Sequence, residues 1–194
     1  LDFDGTNQRE LVTEADRLEA SLAGSLGEME SARFTGHVIF SHGDTTGAAR
    51  LLFYDINAGV VRLRSYGGEG ETPHIMDPNV EIDAEEIDLA LDGTSIRAQG
   101  DVRSVLSFSG IFSSSTPTYA RAGQLTYGSK DRRTTYSGEA RLWQGNTAIQ
   151  GEIIEIHQDS ADVRASGDVR STFILEEVDD VTSEVRQVQT IGVA

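Results

Sequence analysis

The chain of 194 residues contains no cysteine, three prolines and a single lysine, Lys130. Without cysteine there is no disulfide framework, no thiolate metal site and no cysteine nucleophile. No apolar run approaches the roughly 20 residues that span a bilayer as a helix, so the chain as given is expected to be soluble. Because Leu1 is not an initiating methionine, the sequence leaves open whether a signal peptide or membrane anchor precedes it.

Positive charge is also scarce, because 16 Lys and Arg residues stand against 32 Asp and Glu residues, a formal net charge of −16. Such a surface repels polyphosphate, which argues against nucleic acid as a partner. The arginines occur singly along the sequence, apart from Arg132 and Arg133. The sequence therefore predicts no basic patch.

An internal repeat is the strongest signal in the chain. Residues 82–104 and 149–171 are identical at 11 of 23 positions without a gap, and both end in the sequence GDVRS. A fainter copy begins at Ala15 (ADRLEASL) and needs an insertion around Gly24 to Gly27. Repeated units of this kind bury their apolar faces by stacking on a shared core.

Within each unit the apolar residues recur with a period of two, which predicts β-strands with one buried face. Asp92 and Gly93 separate two alternating runs, as a hairpin turn would. The glycine of each GDVRS permits a bulge that re-aims the strand. The stretch 67–79, with two prolines, and the stretch 113–118 are interpreted as loops. Helix competes with strand only over residues 13–26, where the match to the second unit favours strand.

These patterns predict an all-β protein with one domain over residues 1–194. Its similar units span about 13–47, 48–112 and 119–175, and an acidic C-terminal tail follows at 176–194.

The order of the strands resembles a known family. The stretch Tyr136 to Ser171 has an aromatic-G-x-A-x-L strand, a glycine turn, an I-x-G-x-x-I strand and a closing x-A-x-G-x-V strand. This order resembles the OstA-like (LptA/LptC) family of periplasmic lipopolysaccharide-transport proteins. The resemblance is weaker over the rest of residues 48–171. The long loop 67–79 and the acidic tail depart from the family pattern.

The resemblance implies an elongated, twisted β-jellyroll of repeated antiparallel strand units whose apolar interior carries lipid acyl chains across the periplasm. The implied ligand is lipopolysaccharide or a related envelope lipid, and no cofactor and no catalysis are expected. Combined with the period-two pattern, it places ten residues in the lipid slot: Ile87, Leu89, Ile96, Val102, Leu125, Leu142, Ile154, Ile156, Val163 and Val169. An edge strand near Phe173 to Leu175 is expected to pair head to tail with another Lpt-type jellyroll module, forming a bridge to the outer membrane.

Other motifs in the sequence point to different chemistry but lack the context that it requires. The opening LDFDGT matches the first motif of haloacid-dehalogenase-like phosphotransferases, but the α/β alternation that their fold requires is missing. The acidic run 81–88 is interpreted as a solvated strand face, and the four histidines lack metal-ligand spacing. Trp143, opposite in parity to Leu142, marks either a partner or sugar surface or local packing. The alternative function is a structural β-repeat scaffold or adhesin-like envelope protein without a lipid ligand.

Overall fold

A computed structural model describes residues 10–23, 29–65, 71–107, 116–178 and 185–193. The described residues form strands and turns and contain no helix, and hence no helix long and apolar enough to cross a membrane. The strands are β1 Leu11–Glu14, β2 Arg17–Leu22, β3 Met29–His42, β4 Thr45–Asp55, β5 Val60–Arg64, β6 His74–Met76, β7 Val80–Asp83, β8 Glu86–Ala90, β9 Ser95–Leu106, β10 Thr118–Gly128, β11 Arg133–Gln144, β12 Thr147–His157, β13 Asp162–Ser166, β14 Arg170–Val178 and β15 Val185–Val193.

Six long strands, β3, β4 and β9 to β12, each run through two facing sheets. Every pairing is antiparallel, and each of the four pairings between consecutive long strands has a register shift at mid-length. At that shift one strand carries an extra residue, which bends the pair and moves it from the first sheet into the second. We call this line of bends the seam. The result is an all-β jellyroll, as the sequence predicts.

Short strands complete the two sheets where a long strand has two different neighbours. β5 and β8 pair with the first-sheet halves of β4 and β9, whereas β6 and β7 pair with the second-sheet halves. β2 and β13 likewise belong to the first sheet, and β1, β14 and β15 to the second. The chain therefore changes sheets by loops as well as by bends, which is how a jellyroll encloses its core.

The seam has a glycine at the equivalent position of each repeat unit, including the faint first copy. Gly36, Gly100 and Gly167 all have positive φ angles, of 104°, 80° and 74°. A Cβ atom on each would clash with an acidic side chain, namely Asp16, Glu85 and Glu152 respectively. In the two firm units the amide of this acidic residue donates to the glycine carbonyl, at 3.0 and 2.9 Å. Only glycine fits both the backbone and the overlying carboxylate, so each unit bends at the same place.

Two loop or tail assignments differ from the structure. His74–Met76 forms strand β6 inside the predicted loop 67–79, because the exposed edge of β4 gives these residues a partner despite the flanking prolines. β15 lies inside the predicted acidic tail and pairs with β14 over nine residues. Residues 13–22 are strand wherever they are regular, as expected. The LDFDGT motif and the insertion around Gly24 to Gly27 fall outside the described residues.

Candidate functional site

The candidate site is the apolar interior between the two sheets. The seam closes this interior on one side, and on the opposite side the turns at the ends of the strands form two rims. A cleft of about 650 Å³ opens between the rims. That volume falls within the range of about 300–1,000 Å³ that is typical of small-molecule sites.

The cleft has an apolar floor and a polar entrance. Its floor contains Ile75, Ile82, Leu89, Ile96, Leu106 and Leu125. Its entrance carries Asp77 and Asn79 on one rim and Arg132 and Gln158 on the other. This arrangement suits an amphiphile whose chain is buried and whose polar head stays in water.

The ten residues that the sequence assigns to the slot divide into three groups. Seven are buried in the shared core: Ile87, Leu89, Val102, Leu125, Leu142, Ile154 and Ile156. Ile96 and Val163 are half-buried and pack against that core. Val169 is half-buried but lies between β13 and β14 and is not among the described core residues. Leu89, Ile96 and Leu125 meet at the cleft itself.

A buried polar strut joins the two sheets beneath the cleft. The hydroxyls of Tyr136, on the first-sheet half of β11, and Ser104, on the second-sheet half of β9, lie 2.7 Å apart. Tyr136 is 1% exposed, and burial raises the pKa of its phenol to about 12 although the hydrogen bond with Ser104 opposes the shift. The phenol is therefore neutral at physiological pH and holds the sheets together through a hydrogen bond rather than a charge.

A second tie closes the rims nearer the N-terminal end. His42 ends β3 in the second sheet, and its Nε2 donates to the carbonyl oxygen of Leu91, at the end of the first sheet, at 3.0 Å. A carbonyl can only accept, so this contact places the ring hydrogen on Nε2. The tie lies near Thr45 and Gly93 at one end of the cleft, and the lining continues to Tyr127, Thr134 and Tyr136 on β10 and β11.

The described residues leave the interior uncovered at its N-terminal end. On β2, Leu18 and Leu22 are 55% and 53% exposed. Leu18 pairs with half-buried Phe34, and Ala20, between the two leucines, pairs with buried Ala32, so these side chains continue the inner face of the first sheet. An apolar inner face that ends in solvent differs from a closed core, in which such residues are covered.

The terminal edges differ from the sequence-based expectation. Phe173 to Leu175 were expected to form the last, unpaired edge, but they lie in β14, which pairs with β15 along its whole length. Beyond Thr172 this hairpin has no pairing with β12. Among the described strands, the free edges are therefore β1 and β2 at one end and β13 and β15 at the other.

Sequence reasoning missed the two ties. Ser104 belongs to the first GDVRS repeat and was interpreted only as part of a bend, and Tyr136 and His42 were not assigned to the interior. A signal was present, because Ser104 and Tyr136 share the parity of buried apolar neighbours on their strands. Two hydroxyl groups on inward positions of facing sheets need a partner, and each is the simplest partner for the other.

The other candidate chemistries do not form a site in the described residues. Within the predicted acidic face, Glu86 and Asp88 share Arg64 in ion pairs of 3.2 and 2.8 Å. His74 lies 2.9 Å from Asp83. No group of three or more His, Asp or Glu side chains that could hold a metal occurs in the part of the chain that the structure describes.

The fold is similar to that of a known transport component. The solved structure is LptH from Pseudomonas aeruginosa, described as the LptA-homologous periplasmic component of the conserved lipopolysaccharide transport device. The match covers 96% of both chains with a TM-score of 0.52 and 12% identity. No family model and no curated protein sequence matches the chain. The comparison therefore establishes an Lpt-like jellyroll fold.

Proposed function

We propose that this protein binds the acyl chains of lipopolysaccharide, or of a related envelope lipid, in the cleft and relays the lipid across the periplasm to the outer membrane. The observation that carries the proposal is an apolar cleft, polar only at its entrance, that opens between the rims of an Lpt-like jellyroll. The role is one of binding and transfer rather than catalysis. The periplasmic location of the similar LptH supports the same location here.

Apolar burial supplies enough free energy for such a role. A chain of about a dozen methylenes gains on the order of 10 kcal/mol when it is fully buried, at ~0.8 kcal/mol per methylene. A chain that reaches below the cleft floor breaks the Ser104–Tyr136 hydrogen bond and leaves two buried hydroxyls unpaired, at a cost of about 1–3 kcal/mol each. The gain exceeds that cost, so the strut can hold the empty cleft together without preventing loading.

Photo-crosslinking tests the cleft with two neighbouring positions on β10. Tyr127 lines the cleft, whereas Thr126 is exposed on the outer face of the first sheet. A benzophenone amino acid placed at position 127 is expected to label lipopolysaccharide, and the same group at position 126 is not. Equal labelling at both positions, or labelling at 126 alone, would show that the lipid does not occupy the cleft.

Relay requires that the clefts of successive modules join, and we propose that other Lpt-type jellyrolls or further copies pair with the free edges. The edges at the two ends differ in sequence, so pairing between them propagates head to tail. Light scattering of the protein is expected to show mass rising with concentration, and Leu18→Asp, which places a charge on the open N-terminal face, should suppress the rise. A strict monomer that also fails to bind any related module at either end would refute the relay while leaving lipid binding testable.

One observation favours the alternative of a structural scaffold. Val102, Leu142, Ile154 and Ile156 are 0% exposed, as in an ordinary packed core. A scaffold with a closed core would give no lipid-dependent increase in melting temperature. A binding protein would be stabilised as the lipid concentration rises.

A further inference from the structure

The outer face of the second sheet gathers four arginines that are scattered in sequence. Five residues on adjacent strands are in register: Arg103 on β9, Arg121 on β10, Arg141 on β11, Gln150 on β12 and Arg170 on β14. With neighbouring strands about 4.8 Å apart, this row is about 19 Å long. All four arginines are exposed. We call these five residues the arginine row.

The arginine row lies between an aromatic pair and a groove. Towards the rim, Tyr119 and Trp143 occupy the next outward positions on β10 and β11, and their rings stack with centroids 5.7 Å apart. The guanidinium of Arg141 lies 5.3 Å from the centroid of the Trp143 ring. Towards the seam, a groove of about 990 Å³ is lined by Asp101, Glu139, Glu152 and Asp168, together with members of the arginine row.

The arrangement is unfavourable for folding alone. The chain has only 16 basic residues, and three of them, Arg103, Arg121 and Arg141, lie directly opposite one another on adjacent strands. Like charges in directly opposed positions destabilise a sheet. Asp101 relieves part of this repulsion through ion pairs of 2.6 Å with Arg103 and 2.7 Å with Arg121. Arg170 has no ion pair among the residues that the structure describes.

We propose that the arginine row, the aromatic pair and the seam groove form a binding site for an acidic oligosaccharide. Guanidinium groups bind carboxylate or phosphate groups in bidentate fashion. Aromatic rings offer flat apolar surfaces to the C–H faces of sugars, and the carboxylates of the groove accept hydrogen bonds from hydroxyl groups. Anion, ring and hydroxyl recognition are thus side by side over a length that suits several linked sugars.

This site is separate from the lipid cleft. Arg121 points outward between Ala120 and Ala122, which are buried and point into the core. A ligand on the arginine row therefore contacts the opposite side of the sheet from an acyl chain. Either a free acidic glycan or the saccharide of a glycolipid has the required chemistry. A lipid-free probe tests recognition of the sugar itself, and competition of lipopolysaccharide against that probe shows whether a glycolipid reaches the same site.

The single tryptophan of the chain provides a direct readout, since Trp143 lies within the site. Fluorescence titrations would compare lipid-free hexagalacturonate with neutral maltohexaose and with hexaglutamate. We expect saturable quenching by hexagalacturonate that weakens as salt is added, with at least about ten-fold weaker binding of the other two. Arg121→Gln combined with Arg141→Gln is expected to weaken hexagalacturonate binding by on the order of ten-fold or more, since hydrogen bonds to charged groups are lost.

Arg97→Gln is the matched control, because Arg97 is also an exposed residue of β9 but lies on the first sheet. It should leave the binding curve unchanged. Photo-crosslinking of lipid from position 127 should be unaffected by the double arginine variant, so failure of this site and failure of the lipid cleft give different results. Equal binding of maltohexaose or hexaglutamate, no binding of hexagalacturonate, or an equal loss in Arg97→Gln would each overturn the assignment.

Discussion

The buried strut between the sheets gives a quantitative prediction. Tyr136→Phe removes one hydroxyl and keeps the ring that fills the core. The partner Ser104, 4% exposed, is then left with a buried oxygen that has lost its hydrogen-bond partner among the described residues. Leaving such a group unsatisfied costs about 1–3 kcal/mol. For a domain of this size, a loss of about 2 kcal/mol lowers the melting temperature by roughly 4–8 °C.

A double-mutant cycle isolates the strut from the packing of the ring. Ser104→Ala added to Tyr136→Phe removes both hydroxyls, and replacing both partners by apolar groups is close to neutral. The double variant is therefore expected to be less destabilised than the sum of the single variants by about 1 kcal/mol or more in urea unfolding. If the losses add within about 0.5 kcal/mol, the two hydroxyls are not coupled and the strut does not hold the sheets together.

The same tyrosine gives a signature at alkaline pH. The pKa of Tyr136 is raised from 10.0 to about 12 because burial disfavours the phenolate. The folded state therefore keeps its proton between these values while the unfolded chain loses it, so stability falls as pH rises from about 10 to 12. The loss attributable to this group is about 3 kcal/mol. Tyr136→Phe should lack that component, and an unchanged alkaline limb in the variant would contradict the buried placement.

Three further predictions test the seam, the facing of the strands and the charges outside the core. Gly100→Ala should lower the free energy of unfolding, measured in urea, by about 1 kcal/mol more than Gly93→Ala does. Both glycines have positive φ, but of the two only Gly100 lies beneath a carboxylate side chain. Equal losses of unfolding free energy would refute the steric clash. Ile154→Asp should lower stability by at least about 4 kcal/mol while Ile153→Asp, at a position 41% exposed, is tolerated; a reversed order would invert the facing of β12. Hydrogen bonds from Arg121 and Arg103 hold the pKa of Asp101 below its usual 3.8. The ionised carboxylate therefore stabilises the fold above pH 3.8, and this stabilisation disappears as acid protonates Asp101. Asp101→Asn should lower the free energy of unfolding at neutral pH and leave it unchanged at the acid end of the titration.

Much of the fold could be predicted because the information was local. Alternation alone assigned Ile87 and Leu89, and their repeats Ile154 and Ile156, to one buried face, and all four are buried. The repeated GDVRS placed a glycine at two of the bends, Gly100 and Gly167, since a positive φ angle is a requirement that one residue type meets best. These features depend on neighbours within a few positions, which a sequence displays directly.

The features that could not be predicted depend on register between distant strands. β6 exists because the edge of β4 offers hydrogen bonds to His74–Met76, although the composition of that segment favours a loop. The arginines of β9, β10, β11 and β14 look isolated in sequence, and only the pairing of those strands aligns them into a row. Local propensity is a weak guide where tertiary pairing decides the outcome.

The bend at the seam explains how two different surfaces can share one set of strands. In β10, Leu125 and Ala122 both point inward although they differ in parity, because the register shift at Gly123 and Gln124 changes which positions face the core. Without that shift, continued alternation would turn Arg121 into the apolar interior and Ala122 to the outside, and an unpaired guanidinium there would cost several kcal/mol. The bulge thus keeps the interior apolar in both sheets and places the charged positions on the outer face beside the groove. Variants on the arginine row and variants in the cleft should therefore act independently, because each strand presents the two surfaces on opposite sides.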